Sequence, residues 1–152
     1  MSNIAELKDK INTKTMNFVL LTIVTMGIYP ILWLYKNQGI MDKITKVATV
    51  DSTFIIWIAV CIGLSTAFTG TGEESMDILS GVLIIVSWVL YIIWAFKAKK
   101  ALQEYALNEH KIDLRMNGFY TFIFTYFYIN YCINDLPEEE RKYKVLSGQS
   151  DN

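Results

Sequence analysis

The sequence predicts an all-α integral membrane protein. Three observations carry that expectation. Hydrophobic residues make up 53% of the 152, mean hydropathy is +0.29, and only 19% are charged, against roughly 25% in soluble domains. The apolar residues gather into four blocks, 16–35, 54–68, 78–96 and 118–133. The basic residues are spaced so unevenly around those blocks that they discriminate between topologies. One block of this kind fits the core helix of a soluble domain. Four leave too little polar surface to cover them.

The chain divides into a polar lead (1–15), one membrane domain (16–136) and a tail (137–152). In the lead, Ile4, Leu7 and Ile11 fall on one helical stripe, with Asn3 as a cap. That makes a short amphipathic helix, lying on the membrane surface or leading in through solvent. No charged-then-apolar-then-small pattern appears, so a cleaved signal peptide is not expected.

The first block is helical from Met16 to about Met26 and then breaks. Gly27 permits a positive φ, while Pro30 removes a donor and biases Tyr29 away from the α region. A kinked continuous helix and a hairpin returning to its starting side both fit. Beyond Pro30 the helix restarts and leaves the bilayer at Lys36, with Ile31, Leu34, Tyr35, Ile40, Met41, Ile44 and Val47 on its apolar face. The capping cluster Asp51-Ser52-Thr53 opens the second block, where Gly63, Ser65, Thr66 and Ala67 form a small-residue face suited to helix packing.

A ~30 Å hydrocarbon layer takes about 20 helical residues. The third block, 78–96, supplies 19 without a charge. Thr71 and Glu74 fit a capping box before it. Its helix is expected to continue to about residue 108, with Asn108 to Arg115 as a polar connection. The fourth block is unusually aromatic. Tyrosines favour the headgroup zone, so a shallow or hairpin placement suits it better than a simple span. Asn134 and Asp135 end it, Pro137 starts a short acid-led helix, and a disordered tail is expected to follow.

The charge count selects between arrangements. Four full spans place eight basic residues on one side and six on the other. Suppose instead that only 52–70 and 78–96 span, flanked by broken, re-entrant or shallow segments at 16–35 and 116–134. All fourteen then share one side, with both termini cytoplasmic, and the far loop carries Glu73, Glu74 and Asp77. The positive-inside rule favours this second arrangement. A faint repeat pairs the flanking segments: Met16, Asn17, Ile23 and Thr25 recur 100 residues on as Met116, Asn117, Ile123 and Thr125. Coincidence between two apolar stretches explains it equally well.

The stretch Thr25, Gly27, Ile28, Tyr29, Pro30, Trp33, Tyr35 and Lys36 resembles the T-x-G-I-Y-x-x-x-W-x-Y-K signature of a bacterial membrane family, domain-of-unknown-function family 4234. Asn130, Tyr131 and Asn134 resemble that family's second aromatic block. The resemblance implies a small helical protein of the bacterial cytoplasmic membrane. It implies no activity, cofactor or catalytic residue.

The residues themselves offer little chemistry. His110, the sole histidine, sits in a polar connector and reads as a solvated surface residue. Cys61 and Cys132 read as small buried hydrophobes. No nucleophile elbow, metal spacing or phosphate loop is present. With net charge −1, nothing points to nucleic acid. No cofactor and no soluble substrate are expected. The apolar blocks hold no ionisable Asp, Glu, Lys, Arg or His, which argues against a proton-coupled pump. The expectation is a non-enzymatic packing or interaction module with the bilayer as partner and self-association open to it. The alternative is a small oligomeric channel or lipid-perturbing protein. Lys97, Lys99 and Lys100 are candidate contacts to anionic lipid, with plain orientation determinants as the competing reading.

Overall fold

The computed structural model describes residues 4–148. Among them are six helices: α1 (Ala5–Ile11), α2 (Thr15–Val24), α3 (Tyr29–Thr45), α4 (Ser52–Phe68), α5 (Glu74–His110) and α6 (Gly118–Leu146). Asn3 and the tail beyond Gly148 lie outside the described residues. The all-helical expectation holds. One helix, α5, is long and apolar enough to cross a membrane, and only 28% of its most apolar window is buried inside the protein. The second block gives α4, which at 17 residues is shorter.

α4 and α5 pack side by side. Asp51 caps α4 as expected, accepting the Phe54 N–H at 3.0 Å. At the other end, Ser80 Oγ reaches across to the Ser65 carbonyl at 2.8 Å. Thr69 and Ser80 hydroxyls meet at 2.7 Å. The capping box expected from Thr71 and Glu74 does not form. Gly70 and Gly72 both take positive φ, and Thr71 Oγ1 turns to the Glu73 N–H at 3.4 Å. Asp77 closes that loop instead, accepting from the Gly70 N–H at 3.0 Å. Of the small face expected on α4, only Ser65 is buried; Gly63, Thr66 and Ala67 are exposed.

The core begins in the last turns of the charge-free stretch of α5, at Tyr91, Trp94 and Ala95, and continues beyond it. Ile4, Leu7 and Ile11 are all buried, and α1 packs on α3 and α6 rather than lying free on a surface. Each such side chain contributes about 1.5–3 kcal/mol when fully buried. They meet Leu34, Met41, Leu102, Tyr105, Ile133 and Leu136 in one cluster. The buried face of α3 is rotated from the expected one. It runs through Trp33, Leu34, Asn37, Gln38 and Met41, while Tyr35 is exposed. Its two amides donate locally, Asn37 Nδ2 to the Trp33 carbonyl at 2.9 Å and Gln38 Nε2 to Asp42 at 2.9 Å, while Asn37 Oδ1 is buried without a partner among the described residues.

Two further expectations are corrected. The connection after α5 is not simply polar: Ile112, Leu114 and Met116 are buried while Asp113 and Arg115 are exposed. Extended backbone sends alternate side chains to opposite faces. Gln103 Nε2 holds it by donating to the Leu114 carbonyl at 2.9 Å. Nor does a new helix start at Pro137. That proline lies inside α6, so its missing N–H leaves the Ile133 carbonyl without the usual partner. Leu136 beside it is fully buried, and packing carries the helix through.

Candidate functional site

The break in the first block is a helix stop followed at once by a helix start. α2 closes with a Schellman arrangement. Gly27 N–H donates to the Thr22 carbonyl at 2.8 Å and Met26 N–H to the Ile23 carbonyl at 3.1 Å. Met26 has φ 49 and Gly27 φ 88, so two successive residues, not Gly27 alone, turn the chain. Thr25 pins the joint. Its hydroxyl donates to the Leu21 carbonyl at 2.7 Å and accepts the Tyr29 N–H at 2.9 Å. Tyr29 is already the first residue of α3, and Pro30, one residue in, occupies a first turn where its lost donor costs nothing.

α3 therefore returns alongside α2. Phe18 stacks on Trp33 with ring centroids 4.9 Å apart and takes Tyr29 edge-on at 5.5 Å. In one continuous helix, residues so far apart in sequence would be separated by about 22 Å. The kinked continuous helix is excluded, and the segment is a hairpin. Its turn is dressed with exposed apolar side chains, Val24, Met26 and Ile28 among them. Trp33 is buried, whereas Tyr35 and Lys36 are exposed.

The fourth block breaks as well. Thr125, inside α6, has φ 37 and ψ −112, an outlying conformation for a β-branched residue. Asn117 caps the first limb, accepting the Phe119 N–H at 2.8 Å. Its own N–H donates to the Tyr128 hydroxyl at 2.9 Å. A straight helix would hold those residues about 16 Å apart. Tyr120 and Tyr128 rings lie 5.8 Å apart. The second segment is also folded back, and Thr25 and Thr125 both sit at the turns. The repeat extends no further in geometry, because Asn17 lies within α2 while Asn117 is a cap.

The two hairpins share an aromatic seam. Phe18, fully buried, also meets Tyr126 at 5.8 Å and Phe127 at 5.3 Å. Asn130 and Asn134 clamp the start of α2. Asn130 Nδ2 donates to the Thr13 carbonyl at 3.1 Å and Thr15 Oγ1 at 3.2 Å. Asn134 Nδ2 donates to the same carbonyl at 2.8 Å. Tyr131 stands apart, exposed and stacked on Tyr128 at 6.4 Å.

Both hairpins pack along α5. Trp94 meets Trp33 edge-on at 6.1 Å, and Tyr91 meets Tyr126 at 4.9 Å. Phe122, near the second turn, shares an apolar cleft with Ile85, Trp88 and Val89. That level is near the middle of the charge-free stretch, 78–96, which spans about 28 Å as helix.

The three candidate lysines diverge. Lys97 lines an open groove with Lys36 and Lys43. Lys99 Nζ lies 5.9 Å from the Phe96 ring centroid and close to Gly118. Lys100 pairs with Glu104 at 3.7 Å. The hydroxyls of Thr22, Thr66, Ser87 and Thr121 donate to carbonyls of their own helices.

Reactive groups are sparse. Cys61 and Cys132 are buried free thiols on different helices. No group of three or more His, Cys, Asp or Glu able to hold a metal ion occurs among the described residues. His110 is not simply solvated: its ring packs edge-on against Tyr105 at 4.9 Å, with Nε2 buried. Burial lowers its pKa below 6.5, opposed by Glu140 and Glu109. Lys46, bonded to Glu109 at 2.7 Å, lowers that carboxyl's pKa and ties the end of α3 to the end of α5.

Among known proteins, a family model described as a domain of unknown function, DUF4234, matches residues 13–104. The match takes in the whole first hairpin, α4 and most of α5; Asn130, Tyr131 and Asn134 lie beyond it. No curated protein and no solved structure matches the chain.

Proposed function

The chain belongs to the DUF4234 family, whose function is unknown, and we propose that it is a non-enzymatic, bilayer-embedded packing and interaction module. α4 and α5 span the membrane, both hairpins enter from the cytoplasmic side and return, and the core around α1 and the end of α5 forms a cytoplasmic head. The family resemblance adds the bacterial cytoplasmic membrane as the location.

One observation carries the reading. The hairpins turn back beside a helix whose charge-free length matches the hydrocarbon layer, and the second reaches its middle at Ile85 and Val89. The side chains left outward there are Ile84, Ile85, Trp88 and Val89 on α5, Trp57 and Val60 on α4, and Phe122 and Phe124 on α6. Soluble monomers rarely expose a contiguous apolar surface on this scale. The hydroxyls bonded to their own helices favour packing over a polar pore lining.

Site-directed labelling tests the placement. In a background with Cys61 and Cys132 replaced by Ala, single cysteines at Lys36 and Lys142 should be shielded from an impermeant external thiol reagent. One at Glu74 should react. One at Met26 should resist aqueous reagent from both sides. External labelling at Lys36 or Lys142 overturns the two-span arrangement. Ion flux in liposomes, abolished by Gly27→Leu, would move the reading to a pore.

A further inference from the structure

A groove of about 980 Å³ opens where α3, the 46–51 connector, the start of α4 and α5 come together. We propose that it binds the phosphate of an anionic phospholipid headgroup. The inference rests on the bilayer placement argued above and adds a ligand to it.

Three lysines line the groove, Lys36 and Lys43 on α3 and Lys97 on α5. Lys36 and Lys43 are two helical turns apart and share one face with Gly39 and Ile40. None of the three forms an ion pair among the described residues, although Lys46, Lys100 and Lys142 do. Two carboxylates also line the space, and both are committed to backbone and amide donors. Asp42 accepts from the Thr49 N–H at 3.1 Å, the Thr49 hydroxyl at 2.8 Å and Gln38 Nε2 at 2.9 Å. Asp51 caps α4 through the Phe54 N–H at 3.0 Å. The acids stay charged but are fixed in the walls by those donors, so the groove holds three lysines free of ion pairs among the described residues against two immobilised carboxylates, a positive excess of one. Ser52, first residue of α4, lines the groove too, so the positive end of that helix dipole adds to the field.

The setting favours a lipid over a free anion. Lys97 is the first charge after the charge-free stretch of α5, so the groove sits at headgroup level in the proposed placement. Ile40, Val50 and Phe54 give it an apolar wall continuous with that level. Gly39 supplies the room: a Cβ built there meets nothing within 4 Å. Basic pockets beside membrane helices on the cytoplasmic side hold lipid headgroups by the same combination.

The test uses the full chain in a neutral detergent, titrated with short-chain phosphatidylglycerol, short-chain phosphatidylcholine or inorganic phosphate, with thermal unfolding as readout. Phosphatidylglycerol should raise Tm and phosphatidylcholine should not. Each of Lys36→Gln, Lys43→Gln and Lys97→Gln should weaken that binding by about fivefold. The control Lys8→Gln/Lys10→Gln should not weaken it. Gly39→Leu fills the space without removing charge, and it replaces the poorest helix former save proline, so it should fold and lose binding. If Gly39→Leu binds like the unaltered chain, the attraction is diffuse and the site is overturned. Equal stabilisation by inorganic phosphate overturns the lipid as its source. Placement is read separately, by retention in alkali-washed membranes. Retention without phosphatidylglycerol selectivity sinks the groove alone, whereas extraction by alkali sinks the placement.

Discussion

Asn134 donates its side-chain amide to the carbonyl of Thr13 at 2.8 Å, across a sequence separation of 121 residues. With Asn130 donating to the same carbonyl, it fastens the second hairpin to the start of the first. Asn134→Ala should lower stability by roughly 0.5–1.5 kcal/mol, the net worth of one hydrogen bond to an acceptor that keeps a second donor. Asn130→Ala should cost a similar amount. The double variant should cost more than the sum, because each single variant leaves the Thr13 carbonyl one donor and the double leaves it neither. Denaturant unfolding in detergent micelles measures all three.

Thr25 serves two helices with one hydroxyl, so Ser and Val replacements should separate. Thr25→Ser keeps both hydrogen bonds and should stay within about 0.5 kcal/mol of the parent. Thr25→Val leaves the Tyr29 N–H unpaired and should cost about 1–3 kcal/mol. Gly27→Ala should cost about 1–2 kcal/mol through its left-handed backbone alone, since no atom lies within 4 Å of the added Cβ. Circular dichroism melts give the order: Ser above Ala and Val.

His110 is the sole histidine and so a clean titration probe. Its pKa is lowered from 6.5, chiefly by burial. The unfolded chain therefore binds the proton more readily, and the His110 contribution to stability is full above 6.5 and lost as pH falls through the folded pKa. NMR of the imidazole should show a midpoint below 6.5. Glu140→Gln removes a carboxylate that favours the charged ring and should lower the midpoint further; Lys144→Gln should raise it.

Leu7 is fully buried, which makes α1 a part of the core. Leu7→Ala should cost roughly 2–5 kcal/mol. Limited proteolysis should then cut at Lys8 and Lys10 more rapidly than in the parent chain. An α1 that merely rested on the lipid surface would show neither effect.

How much of this was legible depended on whether the signal was local. The first break was visible because Gly27 and Pro30 act on their own backbone, although Met26, the second left-handed residue, gave no sign. The Thr125 break carries neither Gly nor Pro; the tyrosines and the charge count pointed to a folded-back segment, and only the faint repeat with Thr25 pointed to the residue itself. Asp51 was readable as a cap. The Thr71–Glu74 box was not, because Gly70 and Gly72 reset the loop that would present it. The stripe of Ile4, Leu7 and Ile11 was plain, but a stripe does not name its partner. Ile112, Leu114 and Met116 alternate with charged residues, a period-two pattern that could have marked the connector as half-buried. The groove was out of reach, since α3 and α5 must both be placed before Lys97 joins Lys36 and Lys43.

The Asn134–Thr13 contact also sets an order of assembly. On a ribosome adding ~5–20 residues per second, the wait between those two residues is on the order of ten seconds. Through that interval the α2–α3 hairpin exists without the asparagines that hold its base, and without Tyr126 and Phe127 against Phe18. The protein can therefore finish its amino-terminal half only after nearly all of its carboxy-terminal half has been made, and a chain truncated before residue 130 leaves its first hairpin unlatched.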